Sequence, residues 1–111
     1  MTIIIKHFEH DSIADGNSVS KTWPSDADYT VKYVLIKRKD GQPLTASDIT
    51  IYIGNTPMTM DKALASTFGS DRLNALELDW ELTRDTEFKY TFTNREGATI
   101  SIVVELVLER R

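Results

Sequence analysis

Phe88, Tyr90 and Phe92 alternate with Lys89, Thr91 and Thr93, and Ile100, Ile102, Val104, Leu106 and Leu108 alternate with Thr99, Ser101 and Glu105. A period of two is that of a half-buried strand. The intervening Asn94-Arg95-Glu96-Gly97 suits a type I turn in which Gly97 takes positive φ. The pattern predicts a long closing hairpin whose inward row includes Ile102 and Leu106.

The same period recurs upstream. Strands are expected over Thr2 to Phe8, over Val19 to Trp23 with Pro24 as a stop, and over Tyr29 to Arg38 before an Asp40-Gly41 turn. Asp48 to Gly54 puts Ile49, Ile51 and Ile53 on one face, and Leu76 to Leu82 alternates apolar and acidic residues. Thr59 to Phe68 is the one helical stretch: Thr59 can cap it, Met60, Ala63, Leu64 and Thr67 share a face, and Gly69 can stop it. Six or seven strands and one short helix predict an all-β fold, an antiparallel β-sandwich of jelly-roll or Greek-key type.

Composition narrows the class. The 111 residues suffice for one domain with one core, spanning 1–111. A net charge of −4 and a pI near 5.1 disfavour binding to a phosphate backbone. With no cysteine, neither disulfides nor thiolate metal sites are available. The apolar start breaks at Lys6 without a cleavage site, so it reads as a strand and no signal peptide is expected. No apolar run reaches the roughly 20 residues of a membrane span.

Candidate chemistry is sparse. His7 and His10 are the only histidines, and on a strand they face opposite ways, a poor spacing for a metal or an acid-base pair. Asp11, Asp15, Asn17, Asp26 and Asp28 are oxygen ligands without EF-hand order, so turn chemistry explains them better. Glu77, Asp79 and Glu81 alternate with leucines and Trp80, as a solvated strand face does. No serine lies in a nucleophile elbow and no glycine loop cradles phosphate. The chain is expected to be no enzyme and to need no catalytic residue, metal or cofactor. Trp23, beside Pro24 in a loop, and Tyr52, opposite the isoleucine face, are the candidates for stacking on a sugar ring; Trp80 and Tyr90 stand in core register.

Two strands are apolar on both faces. Val34 and Ile36 oppose Val31, Tyr33 and Leu35, and Val103 and Val107 oppose Ile102, Val104 and Leu106. A sandwich strand needs one buried face, so either the helix and loops cover the second or a partner subunit does. Val34, Ile36, Val103 and Val107 are the interface candidates.

The runs Asp26-Ala-Asp-Tyr-Thr-Val-Lys-Tyr-Val-Leu-Ile-Lys-Arg-Lys-Asp-Gly41 and Ile49-Thr-Ile-Tyr-Ile-Gly-Asn-Thr-Pro-Met58, with the terminal strands, resemble the texture of small β-sandwich structural proteins of viruses and phages. The resemblance covers most of the chain as a pattern of strands and turns, and it transfers no functional residue. It implies a capsid, vertex or spike component that self-associates or meets other virion proteins, made in a host cytoplasm and found in the virion. A carbohydrate-binding module is the alternative, with a glycan as partner.

Overall fold

The computed structural model describes residues 2–111; Met1, the first residue of the apolar start, lies outside them. The strands are β1 (Thr2–Ile13), β2 (Ser18–Pro24), β3 (Tyr29–Arg38), β4 (Asp48–Ile53), β5 (Thr56–Pro57), β6 (Ala63–Leu64), β7 (Trp80–Leu82), β8 (Glu87–Thr93) and β9 (Ile100–Arg110). They form two antiparallel sheets, β1-β9-β3-β7 and β2-β8-β4-β5, with β6 pairing the start of β4 as β5 pairs its end. The inner faces pack on one core that includes Val31, Ile49, Ile51, Leu82, Phe88, Tyr90, Phe92, Ile102 and Leu106. Among the described residues, no helix is long and apolar enough to cross a membrane.

The pairings are nested. β1 pairs with β9, β2 with β8, β3 with β7 and β4 with β5. The chain is therefore a ribbon folded at the β4–β5 turn, with its arms paired from the outside in. Because successive pairs lie in alternate sheets, the ribbon is wound into a jelly roll, the all-β sandwich built of two interlocked Greek keys.

This topology corrects the expected closing hairpin. β8 and β9 alternate as their sequences require, but they lie in different sheets, and the residues between them cross the sandwich. Asn94, fully buried, pins the crossing: its Nδ2 donates to the carbonyls of Ile13 at 2.9 Å and Ala98 at 2.7 Å. Glu96 reaches back to the β3–β4 loop. Its Oε1 accepts from Thr45 N and Oγ1, and its Oε2 accepts from Ala46 N, Ser47 N and Ser47 Oγ, all within 3.0 Å. Gly97 has the expected positive φ, 84°, and its N–H donates to Asp15. One corner thus ties together three connections that are far apart in sequence.

The expected helix is also corrected. Asp61 sits at φ 60°, Ala63 and Leu64 pair with Ile49 and Asp48, and only the single 3-10 turn Ala65–Thr67 follows. The half-open edge of β4 offers ladder bonds that a marginal helix of this length cannot match. Met60, on the expected apolar helix face, is 93% exposed, while Ala65 and Phe68 are buried instead. Likewise the Leu76–Leu82 run forms a strand only over Trp80–Leu82. Its earlier part is irregular chain along the β3 edge, where Gly69 accepts from Ile36 N and Leu78 N donates to Lys32.

Candidate functional site

The face of the first sheet that points away from the core is read from its register. Ile5, Val107 and Tyr33 form one row across β1, β9 and β3; His7, Glu105 and Leu35 form the next; Glu9, Val103 and Lys37 form a third. Lys39, whose N–H donates to Ser101, and Asp11 continue the series. The Ile5–Val107–Tyr33 row is apolar; above it Ile3 shares a row with Glu109 and Thr30, and the rows below it are mostly charged. Ile5 is 55% exposed and Ile3 41%. The guanidinium of Arg72 lies 5.6 Å from the centre of the Tyr33 ring.

The charged rows are laced together. Glu105 meets His7 Nδ1 at 3.0 Å and Lys37 Nζ at 3.1 Å, and Lys39 Nζ meets Glu9 at 2.8 Å and also Asp11. The hydrogen bond from His7, aided by Lys37, holds the Glu105 carboxyl below its ordinary range, and Lys39 does the same for Glu9. The acids Glu9 and Asp11 stand in the β1 column, and the bases Lys37 and Lys39 stand in the β3 column.

The interface candidates need correction against this face. A β-bulge between Val31 and Tyr33 inserts Lys32 and reverses the alternation of β3. Val34 and Ile36 therefore join Val31 in the core, at 0% and 2% exposure, and Tyr33 and Leu35 take the outer positions. Val103 and Val107 do lie on the outer face, yet they are only 8% and 1% exposed. Each is a small side chain on the central strand, flanked in register by longer ones, Glu9 and Lys37 or Ile5 and Tyr33. Neither the helix nor a partner is needed to shield any of the four. The apolar surface left open is that of Ile3 and Ile5, which the notched burial of a central strand does not reach.

A second region is the open seam between β1 and β2. Lys6 and Lys21 point inward from these two edge strands, opposite the core residues Leu106 and Tyr90. Both ammonium groups lie over the Phe8 ring, at 5.7 and 5.8 Å, and Lys6 also sits 5.5 Å from the Trp23 ring centre. Inward charge on edge strands is a means of preventing sheets from joining edge to edge. His10 Nε2 lies 2.7 Å from the Tyr90 hydroxyl. Burial and then the Lys21 charge lower the His10 pKa, and burial raises that of Tyr90. His7 and His10 thus face opposite sides of β1, each with its own partner.

Trp23 belongs to this seam and to β2, not to a loop. It packs against the core and against Tyr29, ring centres 6.2 Å apart. Tyr52 is 38% exposed on the far face of the second sheet, between Lys89 and Pro57 in register. The two stacking candidates point to different regions and make no shared platform.

A third region is a cleft of about 430 Å³ beside the end of β3, lined by Lys37, Arg38, the loop through Gln42 and Leu44, Ser70 and Asn74. Arg38 is already held by Asp40 through two hydrogen bonds, and the lining has neither histidine nor carboxylate. The loop acids are individually engaged: Asp15 accepts from Gly97 N, Asp26 from Tyr29 Oη, and Asp28 from Arg84 N. Glu77 is solvent-facing, Asp79 pairs with Lys32 and Glu81 with Arg111. Among the described residues, no three potential metal ligands of the histidine, cysteine or acid type gather together.

Comparison with known proteins adds no relative: no family model, curated protein or solved structure matches the chain.

Proposed function

We propose that the protein is a non-enzymatic assembly subunit that self-associates through the outer face of its first sheet, in the manner of a virion building block. The observation that carries this reading is the pair Ile3 and Ile5, exposed next to each other on the outer face of β1, with Ile5 opening the apolar row completed by Val107 and Tyr33. Such a patch gains roughly 25 cal/mol per Å² removed from water when a second chain covers it. The inward lysines at the seam block edge-to-edge joining, which directs contact to the face. Jelly rolls serve both as capsid subunits and as lectins; the virion setting rests on that fold-level analogy and on the strand-and-turn texture of the sequence.

Glycan binding is the weaker reading, because Trp23 is engaged by Tyr29 and Lys6 and Tyr52 stands alone. Sedimentation equilibrium of the native chain and of Ile5→Asp tests the proposal. The native chain is expected to form a defined oligomer and Ile5→Asp to be monomeric with unchanged far-ultraviolet circular dichroism. A native chain that stays monomeric at high micromolar concentration overturns it.

A further inference from the structure

Resting on the self-association just proposed, we infer that two copies meet face to face about a two-fold axis parallel to β9, so that the β1 column of each lies over the β3 column of the other. The charge layout selects this geometry. β1 and β3 are both antiparallel to β9, so rotation about an axis along β9 keeps each row at its own level and exchanges the two flanking columns. Ile5 then covers Tyr33, His7 covers Leu35, Glu9 covers Lys37 and Asp11 covers Lys39, and every contact occurs twice, as an isologous interface requires. The apolar Ile5–Val107–Tyr33 row meets its own copy, Ile3 covers Thr30, and acid meets base.

The other in-plane two-fold, across the strands, inverts the order of rows. It keeps each column over its own copy and sets Ile3 and Ile5 against Glu9 and Asp11, so that charged groups lose water against apolar ones, a costly arrangement. Two carboxylates stand in the central column and meet their own copies there, Glu105 and, on the Ile3 row, Glu109. The oxygens of Glu105 are already held by His7 and Lys37, and Glu109, the one like-charge contact on the axis, lies at the end of the face, where its charge is felt by Lys32 of its own chain. Packed sheets keep their strand directions within about 30°, which preserves the row pairing near the axis.

Charge reversal separates this geometry from self-association in general. The double variant Lys37→Glu/Lys39→Glu makes both columns acidic, and Glu9→Lys/Asp11→Lys makes both basic. Each alone juxtaposes like charges twice and is expected to weaken the homodimer on the order of a hundredfold. An equimolar mixture is expected to sediment with the mass of two chains, and to lose that association when Ile5→Asp is added to both partners, which excludes unspecific attraction. Circular dichroism verifies folding, and the milder Lys37→Gln and Glu9→Gln, each weakening the dimer less, report the same contact if a reversal unfolds the chain. A mixture that stays monomeric, or reversed variants that dimerise as tightly as the native chain, overturns the geometry while leaving self-association standing. A monomeric native chain strikes the underlying reading instead.

Discussion

Glu96 makes five hydrogen bonds through one carboxylate, all to the Thr45–Ser47 stretch. Burial pushes its pKa up, but the donors from Ser47, Ala46 and Thr45 outweigh this and hold it at about 2, against an ordinary 4.5. Because the folded-state value is depressed, its stabilising contribution is complete above about pH 4.5 and is lost as pH falls toward 2. Glu96→Gln is expected to cost roughly 1.5–3 kcal/mol at neutral pH, since an amide presents a donor where the carboxylate only accepted. It should also flatten the acid limb of the stability curve measured by chemical denaturation at stepped pH. Gly69 makes a second residue-scale test. At φ 87° an added Cβ would lie 2.7 Å from the Ala75 Cα, so Gly69→Ala is expected to lower stability by about 1–3 kcal/mol. An unchanged denaturation midpoint would show that the 69–75 turn relaxes freely.

At the scale of elements, the alternation of β9 carries the strongest expectation. Ile102 and Leu106 are fully buried, whereas Thr99 is exposed. Leu106→Ala should cost about 2–5 kcal/mol and Thr99→Ala no more than about 0.5 kcal/mol; equal losses in urea denaturation would mean that the register is off by one. Periodicity made the faces of β4, β8 and β9 legible because a half-buried strand writes its burial into every second residue. It could not reveal the bulge at Lys32, since Val31-Lys-Tyr-Val-Leu-Ile36 reads as two apolar faces unless the ladder to β9 is known. Nor could it tell that β8 and β9 part into different sheets, because a turn sequence such as Asn94–Gly97 serves a hairpin and a crossing alike. The helix over Thr59–Phe68 failed for a related reason: the vacant edge of β4 is a tertiary feature, and it captured Ala63 and Leu64. Glu96 and Asn94 passed unnoticed as turn residues, their partners lying 49 and 81 positions away.

For the molecule as a whole, nested pairing leaves β1 and β2 as the edges on one side of the sandwich, each with an inward lysine, and leaves Ile3 and Ile5 exposed on the outer face of the first sheet. The apolar excess on β3 and β9 was legible in the sequence, but it marks no open surface, because the bulge took Val34 and Ile36 into the core and the central position of β9 hid Val103 and Val107. What remains is Ile3 and Ile5 on the outermost strand, with Tyr33 across the sheet. Methyl and aromatic resonances recorded on dilution from millimolar to low micromolar protein test this most directly. Shifts centred on Ile3, Ile5 and Tyr33 and shared by their neighbours on that face, Val107, Leu35 and His7, with Ile49 and Ile51 unmoved, are the predicted result; an Ile5 signal that ignores concentration, or shifts centred on Tyr52 instead, would contradict it.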